Sequence, residues 1–231
     1  LTYFGGKESK MTLAGGKVKL IENRNSKSTP SYTYPTEVVE GTESGILGSF
    51  RSNILGTFTG KGTLVLYSGG DRCAVHSDFS QFEGTLKLQA GNSLWRETVK
   101  DMPLTDVVID AKITLANINN RYAWNNNVEK TLGSLASPYA DAKLGAGIWT
   151  VGANNHDAVF NGQLVSASTV TKIGTGTWTL NSGKNTSSIA VNGGKVVLFS
   201  GTSGSVSVAK GAMLAFGDGA TKCSAPKIGA D

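Results

Sequence analysis

The chain has 231 residues, 30 of them Gly, with 39% hydrophobic and only 17% charged residues and a formal net charge of +5. Gly well above its usual ~7% share but without a third-residue period excludes collagen, and the regular spacing of Val, Leu, Ile and Trp excludes a disordered chain. The 22 Lys and Arg are scattered and never form a run of three, which argues against a nucleic-acid partner. No stretch approaches the ~18 apolar residues of a membrane helix, so no membrane insertion of this segment is expected.

In chain order, the first recognisable element is Gly16-Lys17-Val18-Lys19-Leu20, a Gly followed by alternating polar and apolar residues. Ser26 to Gly45 then carries Pro30 and Pro35 among many Ser and Thr, and reads as a loop projecting from the body near 26–45. The Gly-led phrase returns as Gly62-Thr63-Leu64-Val65-Leu66 and Gly84-Thr85-Leu86-Lys87-Leu88. An irregular, Asn-rich stretch follows from Asn92 to Asn127, with strand-like Val107-Val108-Ile109 and Ile113-Thr114-Leu115 inside it and a second projecting loop expected near 117–130. Further copies are Gly147-Ile148-Trp149-Thr150-Val151, Gly176-Thr177-Trp178-Thr179-Leu180 and Gly194-Lys195-Val196-Val197-Leu198, and a slipped form runs from Gly211 to Phe216.

Period-2 alternation is the signature of a strand with one buried face, and the Gly and Ser-Gly punctuation marks turns. Successive copies lie 22, 18 and 17 residues apart (Gly62 to Gly84, Gly176 to Gly194, Gly194 to Gly211), with room between them for short strands such as Ile189-Ala190-Val191 and Val206-Ser207-Val208. No segment sustains a period of 3.6. Units of this size that cannot bury their own apolar face stack on one another. The fold class is therefore all-β, a parallel β-helix of roughly ten coils of 17–22 residues, over 1–231 as a single body. Trp178, Val196 and one of Met213 or Leu214 would form one inward stack, and Leu180 with Leu198 another. A β-sandwich is the structural competitor. Gly62, Gly84, Gly147, Gly176 and Gly194, which open the phrase, are expected at the corners, where Gly would allow positive φ.

The phrases Val170-Thr171-Lys172-Ile173-Gly174-Thr175-Gly176-Thr177-Trp178-Thr179-Leu180-Asn181-Ser182-Gly183 and Ile189-Ala190-Val191-Asn192-Gly193-Gly194-Lys195-Val196-Val197-Leu198 resemble the autotransporter-associated β-strand repeat of bacterial passenger regions. The match covers about residues 132–217, with Val170, Trp178 and Lys195 departing from the usual residues. The resemblance implies a right-handed β-helix in a secreted or cell-surface protein. It also implies a stalk or adhesive role with any enzyme activity in a separate domain, and it carries no catalytic residue. The chain begins at Leu1 without an initiator Met and reads as a fragment of a longer protein, monomeric and extracellular or at the bacterial cell surface.

The binding candidates lie in the irregular stretch. Trp95, Tyr122 and Trp124 offer flat faces for sugar rings, with Arg96 and Arg121 as hydrogen-bond donors; the competing reading makes these aromatics a plug over the core. Glycans or surface proteins are the expected partners, and no cofactor or metal is expected. The alternative function is a polysaccharide-active β-helix enzyme, a lyase or a hydrolase, which needs clustered carboxylates and a base. Asp101, Asp106 and Asp110 are spaced so that they do not share a strand face. His76 with Asp78 and His156 with Asp157 read as polar turns between coils. Cys73 and Cys223, about seven coils and on the order of 34 Å apart at ~4.8 Å per layer, are expected not to be paired with each other.

Overall fold

The computed structural model describes residues 9–20, 31–48, 52–68, 73–89, 93–96, 99–118, 129–165, 168–182, 184–199 and 204–217. Every strand pairing among them is parallel and there is no helix, so the chain is a parallel β-helix. Its cross-section has three faces. Face 1 opens with Met11–Leu13, Thr36–Val38, Thr57–Gly60 and Asp78–Phe82, and face 2 with Lys17–Lys19, Glu43–Gly48, Thr63–Ser68 and Thr85–Gln89. Face 3 holds seven short strands, from Ser31–Tyr32 to Gln163–Leu164. Seven turns therefore carry strands on all three faces, and three further layers continue faces 1 and 2.

Two eight-residue strands, Met102–Ile109 and Glu129–Ala136, run around the corner from face 1 onto face 2. Glu129 to Leu132 pairs with Gly147–Val151 on face 1, whereas Ser134 to Ala136 pairs with Asp106 to Val108 on face 2. Beyond them face 1 continues through Ser168–Lys172, Ser188–Val191 and Val206–Val208. Face 2 continues through Ala158–Phe160, Thr177–Leu180, Lys195–Leu198 and Met213–Phe216.

The alternation read from the sequence is the inside–outside pattern of these strands. Leu64, Leu86 and Val107 stack inward in register, as do Leu66, Leu88 and Ile109. Trp178, Val196 and Leu214 form the inward column expected near the C-terminus, so Leu214 rather than Met213 takes the third place; Leu180, Leu198 and Phe216 run beside it. In the first coils the interior is aromatic: Tyr32 stacks on Phe58 at 6.1 Å and Phe58 on Phe79 at 4.9 Å. Such offset stacks add about 0.5–1.5 kcal/mol to the area each ring buries.

Coil length is 17 to 22 residues over most of the chain, as between Ile189 and Val206 or Thr63 and Thr85, and 28 between Lys17 and Gly45 and between Asp106 and Ser134. The surplus includes 21–30 and 119–128, which lie outside the described residues. The stretch 26–45, expected as a projecting loop, belongs to the body from residue 31 onward. Tyr32, Thr36 and Val38 point inward there, and the Tyr32 hydroxyl and Thr36 Oγ1 lie 2.6 Å apart, which satisfies both inside the core. Cys73 begins a face 3 strand. Cys223 lies outside the described residues, and so does the question of its pairing.

The corner glycines divide: Gly147 and Gly194 have the positive φ expected of them, at 142° and 60°, whereas Gly62, Gly84 and Gly176 do a different job. Gly176 has no positive φ; a Cβ there would sit 2.4 Å from the carbonyl oxygen of His156 in the coil below. Positive φ belongs to Gly174, two residues earlier, at +70°. A Cβ on Gly174 would also lie 2.1 Å from the Gly152 carbonyl oxygen, so both residues of the Gly-x-Gly corner serve close stacking and the first serves the bend as well.

Two inward positions carry lysine. Lys130 lies in the column with Trp149, Val170 and Ile189, and Lys172 in the column with Val151 and Val191. Lys172 is only 1% exposed, and its Nζ donates to the carbonyl of Ile173 at 2.6 Å. Burial pushes its pKa below the ordinary 10.5, against the opposing pull of Asp157. The unfolded chain then binds more protons than the folded one between the lowered pKa and 10.5, so stability rises with pH across that window. Lys172→Met is expected to match or exceed wild-type stability by up to about 2 kcal/mol at pH 7, with the gap shrinking as pH rises toward 10. Urea titrations at several pH values check this; a wild-type advantage that stays constant with pH would show that the ammonium is well solvated in the fold.

Candidate functional site

Face 1 is continuous except between Asp78–Phe82 and Met102–Ile109, which no strand pairing joins, and the ladders on either side of that gap are irregular. The pairing of Asp78–Phe82 with Thr57–Gly60 slips between Asp78 and Gln81, and that of Met102–Ile109 with Glu129–Ala136 slips between Met102 and Asp106. Register slips of this kind re-aim side chains and open a sheet locally. Between them lies a cleft of about 550 Å³. Ser80 and Gln81 line it from one coil, Val99, Lys100, Asp101 and Pro103 from the next, and Glu129 and Lys130 from the third.

Its polar groups are partly committed. Lys100 Nζ lies 2.6 Å from Asp78 Oδ2, while Ser80 donates to Asp78 Oδ1 from its hydroxyl at 2.7 Å and its backbone N–H at 3.0 Å. Partial burial pushes the Asp78 carboxyl up, but the hydrogen bonds from Lys100 and Ser80 outweigh it and hold the group below its usual range. Asp101 Oδ1 accepts from the backbone N–H of Thr131 at 2.9 Å. Lys130 is 7% exposed and its Nζ donates to the Val99 carbonyl. Burial lowers its pKa, and the nearby Asp101 carboxylate opposes that shift.

A second polar group sits on the corner between faces 1 and 2. Asp106 Oδ1 accepts from Ser134 Oγ at 2.6 Å and from Asn154 Nδ2 at 2.7 Å, and both its oxygens lie 3.1 Å from His156 Nδ1. Ser134 and His156 bond the same carboxylate, so the imidazole does not stand between acid and hydroxyl as a nucleophile relay requires. What the group does is tie three successive coils together. Asp157, the sequence neighbour of His156, instead accepts from Thr177 N at 2.6 Å. Ser77 is buried and donates to the Ile54 carbonyl at 3.0 Å.

The three aspartates considered as a possible acidic group are dispersed. Asp101 borders the cleft, Asp106 holds the corner, and Asp110 accepts from Gln89 Nε2 at 2.7 Å. Among the described residues no three His, Cys, Asp or Glu side chains are placed to hold a metal ion.

Of the five residues expected to bind sugars, Trp95 and Arg96 belong to the face 3 strand Ser93–Arg96, where Trp95 pairs with Val75 and Asn117 and Arg96 with Ile118. Their side chains lie outside what is described, as do Arg121, Tyr122 and Trp124 entirely. The strand holding Trp95 and Arg96 leads along the chain directly to Val99 and Lys100 of the cleft. No residue pattern in the sequence announces the cleft, because its walls come from three coils whose alignment depends on two register slips. Comparisons of the chain with known protein families, with curated proteins and with solved structures find no match, and the family resemblance rests on the repeat phrases alone.

Proposed function

We propose that this chain is a structural and adhesive surface module of a secreted or surface-anchored bacterial protein, a rigid rod whose outer face contacts glycans or surface proteins. Ten layers at ~4.8 Å give a body on the order of 45 Å long, in which each coil is held by its neighbours. The observation that carries the reading is the outer surface of face 1 beyond the cleft. Thr131, Thr150, Thr171, Ala190 and Ser207 form one outward column, and Ile148, Thr169 and Ser188 a second. Glu129 heads the second column in register with Ile148; beyond it neither column carries a charge, and the hydroxyls of Thr150, Thr169 and Thr171 have no partner among the described residues. Hydroxyls set about 4.8 Å apart along the rod and about 6.6 Å across it are free to bond an external polar surface.

The alternative, a polysaccharide-active enzyme, has in its favour the carboxylates of Asp101 and Glu129 beside Lys130 on one cleft. One set of measurements separates the two. The whole chain is applied to a glycan array and to immobilised surface proteins, and then incubated with acidic and neutral polysaccharides while reducing ends and unsaturated products are followed. Saturable binding without product release is the expected result; product release that is lost in Asp101→Asn or Glu129→Gln would replace this reading by the enzymatic one.

A further inference from the structure

We infer that the face 1 cleft is a binding site for an uncharged sugar residue of a glycan; this rests on the adhesive reading above and assigns it a location. Three observations carry it. The first is Lys130, which is more than nine-tenths buried yet borders the cleft and donates to one acceptor, the Val99 carbonyl. An ammonium has three N–H donors, and two of these have no acceptor among the described residues. Burying a charge with its donors unfilled is costly, and an acceptor brought by a ligand would complete the set.

The second is the balance of the lining. Lys100 and Lys130 line the cleft together with Asp101 and Glu129, so an ion of either sign meets a like charge there. A ligand whose hydroxyls both donate and accept meets no such opposition. Glu129 has no hydrogen bond or ion pair among the described residues, and Asp101 uses one carboxylate oxygen on Thr131 N. Acceptors for sugar hydroxyls are therefore open, and Gln81 and Lys130 supply donors. The third is size and wall. About 550 Å³ falls within the ~300–1,000 Å³ of small-ligand sites, and Pro103 gives the apolar contact that the C–H face of a sugar ring takes, Val99 being fully buried.

The test uses the full chain. A glycan array selects an oligosaccharide, and titration calorimetry then compares wild type with Gln81→Ala/Glu129→Ala, with Lys130→Met and, as a separate arm, with Trp95→Ala/Trp124→Ala. Urea midpoints confirm that each variant is folded. The expected result is a neutral glycan whose affinity falls at least tenfold in Gln81→Ala/Glu129→Ala, a pair of partly exposed side chains whose loss leaves the midpoint in place. Undiminished binding in that folded variant overturns the cleft site while leaving the adhesive reading intact, and binding lost only in the Trp95→Ala/Trp124→Ala arm moves the site there. Binding confined to acidic glycans overturns the uncharged specificity. A wild-type chain that binds no glycan overturns both this site and the glycan part of the reading beneath it.

Discussion

Trp178→Ala is expected to lower the unfolding free energy by about 4–5 kcal/mol, the upper part of the range for emptying a buried aromatic position. Trp178 is 1% exposed and stands in register between Ala158 in the coil before it and Val196 in the coil after. The small Ala158 leaves room beneath the indole, whose Nε1 reaches past that layer to donate to the Leu135 carbonyl at 2.8 Å, while Phe160 packs at 6.3 Å. The substitution therefore removes a ring, a hydrogen bond that spans two coil intervals, and the support for a neighbouring aromatic. Backbone stacking at fixed ~4.8 Å intervals prevents the coils from closing on the hole. Trp178→Phe keeps most of the ring and loses the indole bond, so a cost of about 1–2 kcal/mol is expected. Urea unfolding with unchanged m-values reads both. A Trp178→Ala cost under about 2 kcal/mol would show that the interior repacks, contrary to a rigid stack.

The strands were legible because alternation is a local property. Leu86 and Trp178 alternate with polar neighbours, Leu64 and Val196 each follow a polar residue and precede a Val, and all four point inward as their parity requires. Which face a strand joins is not local. Gly147-Ile148-Trp149-Thr150-Val151 repeats the phrase but lies on face 1, whereas the copies at 62, 84, 176 and 194 lie on face 2. The Glu129–Ala136 strand rounds the corner without a break before it, and so displaces the phrase by one face. Proline and hydroxyl content concealed the strands at 31–38, because Tyr32 and Thr36 satisfy one another inside the core in a way composition does not reveal. Asp106 and His156 are 50 residues apart, and their meeting follows from two coil lengths, one of them enlarged by an insertion. The cleft needed the same information and two register slips besides.

The same limit sets the second large effect, in which two glycines alike in sequence respond oppositely. Gly84→Ala is expected to cost about 3 kcal/mol or more, while Gly16→Ala stays within about 0.5 kcal/mol. Both residues open the same phrase, and neither has a positive φ. A Cβ on Gly84 would lie 2.0 Å from the carbonyl oxygen of Gly62 and 2.8 Å from Phe82 Cζ. That carbonyl is already engaged, accepting from Thr85 N at 3.1 Å, so it cannot retreat without breaking the bond that joins the two coils. A Cβ on Gly16 meets nothing within 4 Å. Two things set it apart: Gly16 lies in the first described coil, with no preceding coil there to supply the carbonyl that Gly84 meets, and Val18 aligns with Ile46 and through it with Leu66, the second apolar residue of the next copy rather than the first. The first copy is thus displaced by two residues, a shift that preserves which side chains point inward while moving Gly16 off the crowded corner. Denaturant midpoints of the two variants give the comparison directly. Equal, small losses would mean that the coils can separate at the Gly62–Gly84 corner; equal, large losses would mean that the first coil shares the register of those that follow.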